Sequence, residues 1–101
     1  MNKTQFNVIM GNSPMIQIVD FFLDNQLSDY CKNEVMKNIH VSRTTFFKYW
    51  KFLERLNVVY ETRKVGRAKM YKLNKNNKIT KGLILLDAEL CKQEQIRAIN
   101  K

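Results

Sequence analysis

Thr44, Lys48, Lys51 and Arg55 recur at intervals of four, three and four residues. On a helix, that spacing gathers one hydroxyl and three cations onto a single face. Arg43 stands at the start of the same run. Ammonium and guanidinium groups donate hydrogen bonds to anionic oxygens, and a guanidinium can donate two to one planar acceptor edge. A second cationic group, Arg63, Lys64, Arg67 and Lys69, surrounds Gly66. Between Lys32 and Lys78 there are 13 Lys or Arg against 3 acidic residues, whereas the rest of the chain carries 5 basic and 6 acidic ones. The net charge of +9 therefore belongs to one region. Charge serving only solubility would scatter; charge confined to one region is an electrostatic footprint for a polyanion.

Other chemistries find little support. His40 is the one histidine, with no second histidine to pair with, and it reads as a turn residue or a phosphate contact rather than a catalyst. There is no glycine-rich phosphate loop, HExxH motif or nucleophile elbow. Cys31 and Cys91 lie far apart with no CxxC spacing, which is not a metal framework. They are expected as free thiols in a reducing compartment, with a redox-sensing pair as the alternative. No enzyme activity, metal or other cofactor is expected. The chain has no run of about 18 apolar residues to span a membrane and no signal-peptide core, so a cytoplasmic protein is expected.

The cations need elements to position them. Phe46, Trp50 and Leu53, flanked by Tyr49 and Leu56, form an apolar stripe opposite Thr44, Lys48, Lys51 and Arg55. Ser42 stands where an N-cap is needed, and Asn57 tolerates the left-handed conformation that closes many helices. The reading is a helix over 42–56. Val35, Met36 and Ile39 predict a shorter helix before it, over 32–38, capped by Asp29 or Cys31, of which Asp29 is the better acceptor. Ser13 and Pro14 open an earlier helix reaching about Asn25, with Met15, Ile18, Val19, Phe22 and Leu23 as its buried stripe. Residues 58–64 and 68–73 are rich in β-formers, and Gly66 between them supplies the positive φ of a tight hairpin. After a polar break at 74–78, a helix is expected from Ile79 to about Ile99. In it Ile79, Leu83, Leu86 and Leu90 are spaced like a short coiled-coil seam, suited to a second subunit or to the domain itself. At residues 1–12, Phe6, Val8 and Met10 alternate, which allows a short strand, an arm or a short helix. No repeat or low-complexity segment is present.

The run VMKNIHVSRTTFFKYWKFLERLNVV resembles the helix-turn-helix of winged-helix transcriptional regulators of the broad MarR-like and ArsR-like kind. The matching positions are Val41-Ser42-Arg43, Thr45-Phe46, Leu53, Leu56 and the hydrophobic pair after Asn57. Met36, His40 and Asn57 stand where such regulators commonly have a small residue or Gly. With wing and flanking helices, the resemblance covers roughly residues 13–90. It implies a mostly α fold with a small β-hairpin (α+β): a three-helix core, a wing and a long C-terminal helix. The expected layout is an arm at 1–12, a DNA-binding domain at 13–75 and a dimerisation element at 76–101.

The function expected from this layout is sequence-specific binding of double-stranded DNA by a homodimer that regulates transcription, repression being favoured. Ser42, Arg43, Thr44, Thr45, Phe47, Lys48, Lys51 and Arg55 would form the reading helix. Arg43 suits a guanine edge, Thr44 or Phe47 a thymine methyl, and the remaining cations phosphate. Thr45 either packs on the preceding helix or bonds phosphate; Phe47 is either a base contact or a plug beneath the wing. Arg63, Lys64, Arg67 and Lys69 would grip the backbone or minor groove. Lys32 and Lys37 either touch phosphate or stay solvated. Ile79, Leu83, Leu86 and Leu90 would form the dimer contact. The competing function is a winged-helix module for protein–protein assembly or replication. Duplex RNA is disfavoured, because its major groove does not admit a helix.

Overall fold

The computed structural model describes residues 10–99, with side chains as far as Gln93. Its order is α1 (Pro14–Asp24), α2 (Lys32–Lys37), α3 (Arg43–Arg55), β1 (Val59–Val65), β2 (Ala68–Leu73) and α4 (Lys78–Ile99). The alternation at Phe6 and Val8 lies outside the described residues.

Local chemistry sets most boundaries. The Ser13 hydroxyl accepts from the Ile16 amide at 3.2 Å, and Pro14 occupies the first turn of α1, where a missing amide costs nothing. The Ser42 hydroxyl accepts from the Thr45 amide at 3.3 Å and donates to the Thr45 hydroxyl at 2.9 Å. This pair opens α3. Asn57 leaves the helix with φ +59°. The start of α2 differs from expectation. Cys31, not Asp29, is its N-cap residue, and the Glu34 carboxylate accepts from the Cys31 amide at 3.0 Å. That carboxylate fills the role a thiol performs poorly. Asp29 is engaged instead by the wing.

Trp50 is the centre of the core. Its ring stacks on Phe46 (5.4 Å between centroids, 22° between planes) and meets Tyr71 edge-on at 5.0 Å. Phe22 of α1 packs on it at 5.9 Å. One residue of α3 thus joins α1 and β2. Ile18, Val19, Leu23, Val35, Ile39, Leu53, Val58, Val59 and Leu73 complete the buried apolar set among the described residues. Burying each such side chain contributes about 1.5–3 kcal/mol before the entropy of ordering it is subtracted.

The hairpin pairs antiparallel from Val59↔Leu73 to Val65↔Ala68. Of its two turn residues only Gly66 has positive φ (62°), as a type II′ turn requires. The register shifts between Glu61 and Arg63, so Thr62 is an extra residue on β1. A third strand contact was not expected. Tyr30 and Tyr71 exchange both backbone hydrogen bonds at 2.8 Å, placing the α1–α2 connector beside β2 on the edge away from β1.

The polar break before α4 is a joint. The Asn77 side chain accepts from the Ile79 and Thr80 amides and donates to the Leu56 carbonyl. The Asn74 amide bonds the Val58 carbonyl at 2.8 Å. Thr80 is fully buried on this joint. The expected seam then divides. Leu83 and Leu90, with Ile84, pack on the domain core, while Ile79 and Leu86, with Leu85, are exposed. A 4-3-4 spacing makes a stripe only about 60° wide, with Leu83 and Leu90 along one edge and Ile79 and Leu86 along the other, and docking at Thr80 leaves the first edge inward.

Candidate nucleic-acid interface

Thr44, Lys48, Lys51 and Arg55 are exposed on α3, opposite Phe46, Trp50 and Leu53. With Phe47 and Phe52 they line an open groove of about 460 Å³. The cations lean on neighbouring rings. The Arg43 guanidinium lies 5.0 Å from the Phe47 centroid, Arg55 lies 5.7 Å from Phe52, and the Lys48 ammonium lies 5.7 Å from Tyr49. Such contacts are worth about 0.5–1 kcal/mol at exposed sites and restrict where a long side chain points.

A second groove, of about 400 Å³, runs between α2 and the wing. Cys31, Lys32 and Asn33 form one wall; Arg67, Lys69 and Tyr71 form the other, with Phe47 between. Phe47 therefore borders both grooves and makes one continuous surface of the α3 face and the wing. It is half-buried and edge-on to Phe46 at 5.6 Å. It is seated beneath the wing cleft and also borders the α3 face.

At the tip, Lys64 and Lys69 face each other across the strands beside the exposed Gly66-Arg67 turn. Like charges in register destabilise a hairpin unless an anion neutralises them. The Glu61 carboxylate approaches the Lys69 ammonium only at 4.0 Å.

Other predicted residues are occupied elsewhere. The Arg63 guanidinium holds Asp29 through two bonds, Nε to Oδ2 at 3.0 Å and Nη2 to Oδ1 at 3.1 Å, and the Thr62 hydroxyl donates to the same carboxylate at 2.5 Å. The Arg63 bonds, reinforced by Thr62, hold the Asp29 carboxyl at about 2, well below the usual carboxylate range. Arg63 thus latches the tip-ward half of β1 to the α1–α2 connector. Thr45 is committed to the Ser42 cap. The Lys32 ammonium lies 5.5–5.7 Å from the centroids of Phe47, Trp50 and Tyr71 and 3.9 Å from the Glu54 carboxylate, so it is packed rather than freely solvated. Lys37 borders a different cavity, of about 510 Å³, with Asp20, Asp24 and Glu34; that cavity shares no lining residue with the two grooves.

Two site features escaped the sequence reading. Phe52 belongs to the α3 face; its position four after Lys48 was the available signal. Gln17, buried in α1, accepts from the His40 amide at 3.0 Å and donates to the Asn12 carbonyl at 3.2 Å, so it pins the helix-turn-helix bend. A glutamine inside an apolar stripe was its only mark.

Three helices, a hairpin bridged by a third strand contact and a long final helix define the winged helix-turn-helix fold. The chain is similar to the crystal structure of SSV1 F-93, with a TM-score of 0.58 and 19% sequence identity, over 90% of this chain and 96% of that one. At that identity the likeness concerns the fold. No protein-family model matches the chain, and no curated protein does. No described helix is long and apolar enough to cross a membrane.

Proposed function

We propose that this protein binds double-stranded DNA, with α3 in the major groove and the wing tip on the backbone or in the minor groove. The observation carrying this reading is the continuity, through Phe47, between the α3 cations and the wing-tip cations. An α-helix fits the B-form major groove, and a cationic hairpin beside it can follow the flanking phosphates. Lys48, Lys51, Arg55, Lys64, Arg67 and Lys69 then serve as phosphate contacts, while Arg43 and Thr44 reach base edges. Phosphate would add to the counter-charge that Glu61, 4.0 Å from the Lys69 ammonium, brings to the like-charged Lys64–Lys69 pair.

The finer reading is a homodimeric transcriptional regulator of the broad MarR-like and ArsR-like kind, repressing by occlusion. The exposed Ile79, Leu85 and Leu86 of α4 are the dimer surface in this reading. A two-fold dimer would read a pseudo-palindrome whose half-sites lie about one helical turn apart or a multiple of it.

Binding to random duplex DNA at two salt concentrations, followed by selection of enriched sequences, tests both levels. A steep salt slope with a palindromic enriched motif is the expected result. A steep slope without a motif overturns sequence-specific regulation and leaves a general DNA binder. No binding at low salt overturns the DNA reading and favours a protein-assembly module.

A further inference from the structure

The α3 face is unusual in what it lacks. Its six groove-lining residues, Thr44, Phe47, Lys48, Lys51, Phe52 and Arg55, include no Asn, Gln, Asp or Glu. Adenine is read in the major groove by the paired donor and acceptor of Asn or Gln, and the cytosine amino group by a carboxylate. Neither reader is present on this groove. Cations can reach guanine acceptors or phosphate. What remains is apolar: the Phe52 ring, 42% exposed, the edge of Phe47 and the Thr44 methyl. The one apolar group that a base pair offers in the major groove is the thymine C5-methyl. The Arg55 guanidinium over Phe52 holds a phosphate-seeking charge beside that ring, and the Arg43 guanidinium over Phe47 is the one that reaches base edges, so DNA contact by either arginine would bring its ring toward the bases.

We propose that α3 selects its DNA by thymine methyl groups, with Phe52 and Phe47 as the residues that read them. This rests on the DNA-binding reading above and names the sequence class it takes. The two residues are five apart, about 7.5 Å along the helix axis and about 140° around it, so they border opposite sides of the cationic stripe. Each ring therefore reads its own thymine, and the preferred half-site contains at least two thymines, on either strand.

The experiment replaces thymidine by deoxyuridine in the selected duplex, which removes only the methyl group. Binding is measured at fixed salt for the wild type and for Phe52→Ala; Phe52 is exposed, and circular dichroism checks that the variant is folded. Wild type should bind the uridine duplex about fourfold more weakly for each contacted methyl, the factor corresponding to about 0.8 kcal/mol of buried CH₂. Phe52→Ala should lose that discrimination at one position and retain it at the other. Equal binding of thymidine and uridine duplexes by the wild type, with steep salt dependence intact, overturns the methyl-reading proposal and leaves DNA binding standing. Undiminished discrimination in Phe52→Ala and in Phe47→Ala overturns the assignment to these rings. Absence of binding to every duplex at low salt overturns both readings.

Discussion

Asn77 makes three side-chain hydrogen bonds, and two substitutions separate what they contribute. Its Oδ1 accepts from the Ile79 amide at 3.0 Å and the Thr80 amide at 3.2 Å, and its Nδ2 donates to the Leu56 carbonyl at 2.9 Å. The first two bonds cap α4; the third satisfies a carbonyl at the end of α3. Asn77→Ala removes all three. Loss of an N-cap costs about 1 kcal/mol. Loss of the donor adds about 1 kcal/mol, or less where water reaches the exposed Leu56 carbonyl. The sum is about 2 kcal/mol, a large share of the 5–15 kcal/mol typical of a domain. Asn77→Asp keeps the acceptor, and its charge suits a helix N-terminus. It loses only the donor and should cost about 1 kcal/mol. Equilibrium urea unfolding followed by circular dichroism measures both. The midpoints should rank wild type, then Asp, then Ala, with unchanged slopes, since the same surface is exposed on unfolding. In a thermal scan, Asn77→Ala should melt about 10 °C below wild type. If Asp is as damaging as Ala, the cap is not the main contribution. If both lie within about 0.5 kcal/mol of wild type, the range of ordinary surface substitutions, the joint does not hold α4.

Gly66→Ala should cost about 1–2 kcal/mol in urea unfolding: a Cβ there meets nothing within 4 Å, so only the positive φ is penalised. Lys51→Ala and Arg67→Ala should each weaken DNA binding across sequences and reduce the salt slope by about one, read from binding titrations at several salt concentrations. The Asp29 carboxyl is held at about 2 by Arg63 and Thr62, against an ordinary 3.8. Its stabilisation is therefore complete above the ordinary value and is lost as pH falls from 3.8 toward 2. Unfolding measured across that window should show a decline in wild type that Asp29→Asn lacks. Burial, then the nearby Asp20, pushes the Asp87 carboxyl upward. The protonated form thus favours the fold, and stability is lost as pH rises through the folded value. Asp87→Asn should be more stable than wild type at pH 7, with the difference vanishing in acid.

What was legible in the sequence is what neighbours along the chain decide. Ser13-Pro14, Ser42 and Asn57 act on amides or backbone angles within a few residues, so they mark helix ends whatever the tertiary context. Gly66 marks the hairpin turn for the same reason. The amphipathic division of α3 is a consequence of helical periodicity, so its core stripe and its cationic face were both readable from residue spacing. The winged helix-turn-helix architecture follows from these local signals and their order.

What only the tertiary structure decided is partnership across long separations. Asp29 reads as a cap until Thr62 and Arg63, 33 and 34 residues away, are brought beside it. The same event gives Arg63, a candidate DNA contact, a latching role as well. Tyr30 forms a strand contact one residue long, too short for any periodic pattern. Lys32 looked solvated or phosphate-bound because nothing nearby in sequence announces three rings around its ammonium. The four residues of the α4 seam have one spacing but two fates, since Asn77 and Thr80 fix the helix rotation against the end of α3. Local signals act through a few covalently fixed torsions. These contacts depend on which distant surfaces meet, a choice made only when the whole core closes around Trp50.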